Sequence, residues 1–186
     1  MSEKISGKII WNNAAKAGLV LGLVSVAYMF ITMATGKIPS KFLSMSVNTL
    51  LWLAKFIGCI YLMRYFMTRL AKEYSEVTNS HTYTYGMAIA LLSAFICSCG
   101  SLVNMVYINP DLIAQTYQTA IQQYAGMMDS NTLEAVENIM PKLPMISFFG
   151  SLIYCFLYGT LLSFILSRNI PSNSPFDIFN EPDDQQ

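Results

Sequence analysis

Residues 85–107 read YGMAIALLSAFICSCGSLVNMVY, 23 positions without one Asp, Glu, Lys, Arg or His. An α-helix rises about 1.5 Å per residue, so roughly 20 apolar residues cross a hydrocarbon core of about 30 Å. Three further stretches, 17–34, 43–66 and 145–166, are comparably long and apolar. Together they predict an all-α fold: an integral membrane four-helix bundle with membrane helices over 14–35, 43–66, 85–107 and 145–167.

The rest of the composition agrees with lipid as the solvent. Of the 186 residues, 54% are hydrophobic and 12% charged, and the mean hydropathy is +0.43. A soluble domain carries about 25% charged residues. One membrane domain over 1–168 is expected, followed by a Pro- and Asp-rich, disordered cytoplasmic tail over 169–186. The formal net charge of zero and the lack of any Lys/Arg run exclude a nucleic-acid binder. The first apolar run exceeds the ~7–15 residues of a secretory h-region, and Met33-Ala34-Thr35-Gly36 is a poor cleavage site, so it reads as a retained helix.

All four cysteines, Cys59, Cys97, Cys99 and Cys155, fall inside apolar stretches, where they read as small packing residues. Cys97-Ser98-Cys99 lacks zinc-site spacing, and no His or acid shares its helix. No metal and no cofactor are expected.

The basic residues set the orientation, because cytoplasmic loops carry the Lys/Arg excess. With the N-terminus inside, Lys4, Lys8, Lys16, Arg64, Arg69, Lys72 and Arg168 are cytoplasmic, against Lys37, Lys41 and Lys142 outside. Both termini are therefore expected in the cytoplasm. Gly36-Lys37-Ile38-Pro39-Ser40 reads as a tight turn between the first two helices. The connector over 67–84 begins as charged helix, with Lys72 and Glu76 spaced to pair, and ends in polar Thr78-Asn79-Ser80-His81. His81, the only histidine, reads as a solvated loop residue.

The third connector is longer. Asn109-Pro110-Asp111 reads as a helix start, with Asn as N-cap, Pro in the first turn and Asp favourable to the dipole. Apolar spacing then predicts an amphipathic helix over 110–128 and a second over 132–140, an extracytoplasmic pair between the third and fourth membrane helices. Gln and acidic residues on their polar faces favour docking on the bundle, since membrane-surface helices are Lys/Arg-rich.

Lys55 is the sharpest candidate binding residue. It lies about twelve residues from either end of the second stretch, hence near the bilayer centre. A centred lysine costs about 2.5–3.5 kcal/mol on insertion scales and normally faces a bundle interior or a cavity. No Asp or Glu occurs in any apolar stretch to pair with it. The partners within reach are neutral: Asn48, Asn104, Tyr61, Tyr154, Tyr158 and backbone carbonyls. A snorkelling or carbonyl-bound lysine is the structural alternative. Ser93, Cys97, Ser101 and Asn104 form a polar seam on the third helix. Gly18 and Gly22 on the first helix, and Ser151, Gly159 and Ser163 on the fourth, line small-residue stripes that permit close helix approach, within the bundle or between copies.

The chain also resembles a known family. The Gly-rich first helix (Ala14, Gly18, Gly22), the entry Thr82-Tyr83-Thr84-Tyr85-Gly86-Met87-Ala88 and the exit Val106-Tyr107-Ile108-Asn109-Pro110-Asp111 resemble those of a family of small bacterial four-helix membrane proteins catalogued as DUF4199, a domain of unknown function. In that family the exit often reads as tyrosines followed by Asp-Pro-Asp, so Asn109 is a departure that keeps capping capacity. The resemblance implies an inner-membrane location. It brings no known activity, substrate or catalytic residue.

Phosphate loops, nucleophile elbows and His-Glu-x-x-His are absent. The expectation is therefore a non-enzymatic protein of the inner membrane, acting in envelope organisation or as an accessory subunit of a membrane complex. Its expected partners are the lipid bilayer and either a second copy or another membrane protein. The alternative is a small transporter or channel subunit using the polar seam around Lys55.

Overall fold

The computed structural model describes residues 7–35, 40–74, 77–111, 115, 118–119, 121–122 and 138–170. Four long helices run up and down: α1 over Gly7–Thr35, α2 over Lys41–Glu73, α3 over Asn79–Val103 and α4 over Leu143–Arg168. No strand occurs among the described residues. All four helices are long and apolar enough to cross a membrane. At 29 residues α1 is about 44 Å long, so its ends project beyond the hydrocarbon or the helix tilts.

Local chemistry sets the helix ends. The Ser40 hydroxyl accepts from the Leu43 N–H at 3.5 Å at the start of α2. Tyr74, with φ −122° and ψ 120°, ends that helix in extended backbone. Thr78 starts α3 with a capping box in which His81 takes the place usually filled by Glu or Gln. The His81 ring nitrogen Nδ1 lies 3.4 Å from the Thr78 N–H and 3.0 Å from its hydroxyl. His81 thus sits in the first turn of a helix, not in a loop. A 3₁₀ turn, Met140–Lys142, leads into α4, whose first turn carries Pro144 at a position where the missing N–H costs nothing.

The third span leaves α-helical geometry at its far end. Asn104–Ile108 form a π-helical turn, closed by the Asn109 N–H donating to the Asn104 carbonyl at 2.8 Å. The Asn109 side chain donates to Asn104 Oδ1 at 2.9 Å. Asn109 therefore ties back to the helix it follows. The amphipathic helices expected over 110–128 and 132–140 lie mostly outside the described residues, as do the Lys72–Glu76 pair, the turn at 36–39 and the tail beyond 170.

The bundle has one centre and one outlier. α3 lies against both α4 and α1, whereas α2 packs chiefly on α1. The core gathers at the end carrying the start of α1 and the end of α4. Ile10, Ala14, Ala17 and Leu21 meet Met63, Met67, Leu70, Ala71, Tyr85, Ile89 and Leu166 there. Between Phe42 and Leu62 no α2 residue is buried. This half of α2 stands away from the bundle, and the gap beside it holds the candidate site.

Candidate functional site: a cleft around Lys55

The small-residue stripes determine which helices close up and which leave room. A Cβ added at Gly18 would sit 2.7 Å from Leu92 Cβ, and one at Gly22 2.7 Å from Ile96 Cβ, so α1 and α3 touch through bare backbone. A Cβ at Gly159 would sit 2.6 Å from Ala90 Cβ, which brings α4 equally close to α3. Ser163, fully buried, donates to the Tyr83 carbonyl at 3.0 Å. Ser151 donates to the Ser98 hydroxyl at 2.8 Å. Gly18, Gly22, Ser151, Gly159 and Ser163 all serve contacts within one chain. The first half of α2 is tied to the end of α1 near its own start, where Thr35 donates to Asn48 at 2.7 Å and Ser44 to the Thr35 carbonyl at 3.4 Å. Further along, a Cβ on Gly58 would meet nothing within 4 Å.

The result is a cleft of about 210 Å³ to which all four helices contribute. α3 supplies one wall with Ala90, Ser93, Ala94 and Cys97, and Leu21 and Ser25 of α1 flank it. Trp52 and Phe56 of α2 and Tyr154 and Tyr158 of α4 form an aromatic rim. Trp52 stacks on Phe56 at 5.5 Å between centroids, and Phe56 meets Tyr158 at 6.1 Å. Tyr154 is 71% exposed. The opening between α2 and α4 thus faces the bilayer interior sideways.

Lys55 lies in this cleft. Its Nζ sits over the Tyr28 ring, 4.7 Å from the centroid. The one ion pair among the described residues, Arg69–Glu73, lies elsewhere. The ring face attracts the ammonium electrostatically without satisfying its three N–H donors. Cys59, Cys97 and Cys155 also line the cleft, with Cys97 and Cys155 neighbouring each other across the α3–α4 interface.

The sequence-derived candidates divide. Lys55, Tyr154, Tyr158, Ser93 and Cys97 come together. Asn104 does not join them: it is buried at the π-helical turn, where its side-chain oxygen is engaged by Asn109. Asn48 accepts a hydrogen bond from Thr35 at 2.7 Å, and Tyr61 is 70% exposed. Tyr28, the residue that does meet Lys55, is one aromatic among the apolar residues of α1, and its facing depends on how α1 rotates against α2.

The cleft brings together an amine, thiols and phenols, which by themselves name no reaction, so the family affiliation matters. The family model described as "Protein of unknown function (DUF4199)" matches residues 16–168. The chain belongs to the DUF4199 family. That match takes in all the cleft residues and all four helices, α1 from residue 16 onward, so in this DUF4199 protein the cleft is part of the family domain. Comparison with curated proteins and with solved structures returned no match. DUF4199 membership agrees with a multi-pass membrane protein and assigns no activity.

Proposed function

We propose that this DUF4199 protein is a non-enzymatic, multi-pass protein of the inner membrane that serves a membrane complex as an accessory or organising subunit, engaging its partner through the Lys55 cleft. The observation that carries this reading is an ammonium group with no acid beside it in a cleft that opens sideways into the bilayer. A partner helix offering a carboxylate or a free carbonyl at that depth would satisfy the donors Tyr28 leaves open, and in low dielectric that hydrogen bond is worth more than in water. Both termini lie in the cytoplasm in this reading, supported by seven basic residues on that side against three on the other.

The test is a photo-crosslinking residue in place of Tyr154, at the cleft mouth, introduced in cells. A discrete protein adduct is expected, lost in Lys55→Met and kept in Lys142→Met, which removes a charge far from the cleft. An adduct insensitive to Lys55→Met would reject the reading, as would crosslinking to lipid alone.

The transporter-subunit reading draws on Ser25, Ser93, Cys97 and Tyr154, which carry polar groups to Lys55. It requires water in the cleft. Cys97 would then react with a charged, water-soluble maleimide, whereas the accessory-subunit reading expects reaction only with a membrane-soluble one.

A further inference from the structure

A second cleft, of about 220 Å³, opens between α1, α2 and α3 at the end of the bundle that holds the core. Asn13 and Lys16 of α1, Phe66, Arg69 and Glu73 of α2, and Tyr85 of α3 line it. Its level is set by the sequence. Lys16 immediately precedes the first apolar run, Arg69 follows the second by three residues, and Tyr85 opens the third. All three therefore stand where hydrocarbon gives way to headgroups.

The donors outnumber the acceptors. Lys16 and Arg69 bring two positive charges, and Glu73 the one negative charge. Glu73 Oε2 lies 4.0 Å from Arg69 Nε, with the side chains 54% and 65% exposed. A pair so long and so exposed holds the guanidinium weakly. Tyr85 is 3% exposed, lines the cleft and makes no hydrogen bond among the described residues. Its ring is packed in the core, so its hydroxyl is left facing the cleft. The space in front of it is bounded by the Arg69 guanidinium, the Lys16 ammonium and the Asn13 amide, which can donate to an anion, and by the Glu73 carboxylate, which opposes one. Arg matches phosphate oxygens with a two-pronged fork, and interhelical basic pockets at the membrane surface accept phospholipid headgroups.

We propose that this cleft is a headgroup site for an anionic phospholipid, with the phosphate held by Lys16 and Arg69, the Tyr85 hydroxyl donating to it, and Phe66 against the start of an acyl chain. A lipid occupant suits the site better than a soluble anion, because the cations stand at the phosphate level of the bilayer and an aromatic side chain flanks them on the hydrocarbon side.

The experiment uses the full chain in uncharged detergent micelles, titrated separately with phosphatidylglycerol, with phosphatidylcholine of the same acyl chains, and with inorganic phosphate at matched ionic strength. Thermal unfolding and native mass spectrometry report binding. Phosphatidylglycerol is expected to raise Tm and to remain bound as a discrete adduct, while the other two do neither. Lys16→Gln/Arg69→Gln should weaken it about thirtyfold, two juxtamembrane cations' worth. Tyr85→Phe should weaken it less, and Lys142→Gln, far from the cleft, should not. Equal stabilisation by phosphatidylcholine overturns the proposal, as does undiminished binding to the double variant. An equal response to inorganic phosphate would make the site one for a free anion and overturn the lipid assignment.

Discussion

Lys55 places its ammonium 4.7 Å from the Tyr28 ring centroid, and magnitudes decide what that contact achieves. A desolvated cation–π contact contributes about 2 kcal/mol, while a lysine at mid-bilayer costs about 2.5–3.5 kcal/mol. The ring offsets most of the cost and leaves a deficit. Lys55→Met is therefore expected to stabilise the folded protein by about 1 kcal/mol, and Tyr28→Leu to destabilise it by about 1–2 kcal/mol. Unfolding in mixed micelles measures both. A marked loss of stability in Lys55→Met would instead make the lysine a structural tie. Lys55 was legible in the sequence because a charge within an apolar run is conspicuous. Tyr28 was not, because contact between residues of different helices depends on helix rotation. His81 was misplaced for another reason: Thr78 and His81 have capping-box spacing, but imidazole is an unusual member of that motif.

At the scale of the helix, close approach and looseness sit side by side. Gly159→Leu would force a side chain into Ala90 and is expected to cost about 1–3 kcal/mol or to block folding, as overpacking does. Gly58→Leu and Gly150→Leu meet open space and should be tolerated. Size-exclusion profiles and detergent unfolding of the three variants separate these outcomes. The Cys97–Cys155 approach gives an independent check on the α3–α4 register. In a Cys59→Ser/Cys99→Ser background, a membrane-permeant oxidant should join the remaining thiols, detected as an intramolecular crosslink between fragments cleaved in the segment that joins α3 to α4. Failure to form that bridge would place the two helices in a different register. The stripes themselves were visible as fourfold spacing of small residues. Their partners were not, because the same stripe serves a neighbouring helix or a second copy equally well.

Across the whole molecule the core is asymmetric. Met67 is fully buried where α2 meets the bundle, and Ile57, 63% exposed, belongs to the half of α2 that stands apart. Met67→Ala should cost about 2 kcal/mol or more, and Ile57→Ala far less, by unfolding in mixed micelles. Equal costs would mean that α2 packs along its full length.

The sequence by itself determined the solvent, the number of spans and the helical class, because a run of 20 or so residues without charge has one stable conformation in lipid, the internally hydrogen-bonded helix. It also singled out Lys55, since the cost of a charge in hydrocarbon is local. The tertiary structure alone decided that α3 is the central helix, that α2 leaves a cleft beside it, that Lys55 meets Tyr28 while Asn104 turns to Asn109, and that Lys16, Arg69 and Tyr85 converge. In lipid, every outward and inward face is apolar, so hydrophobic patterning says little about which helix faces which. Only the shapes of packed side chains settle that.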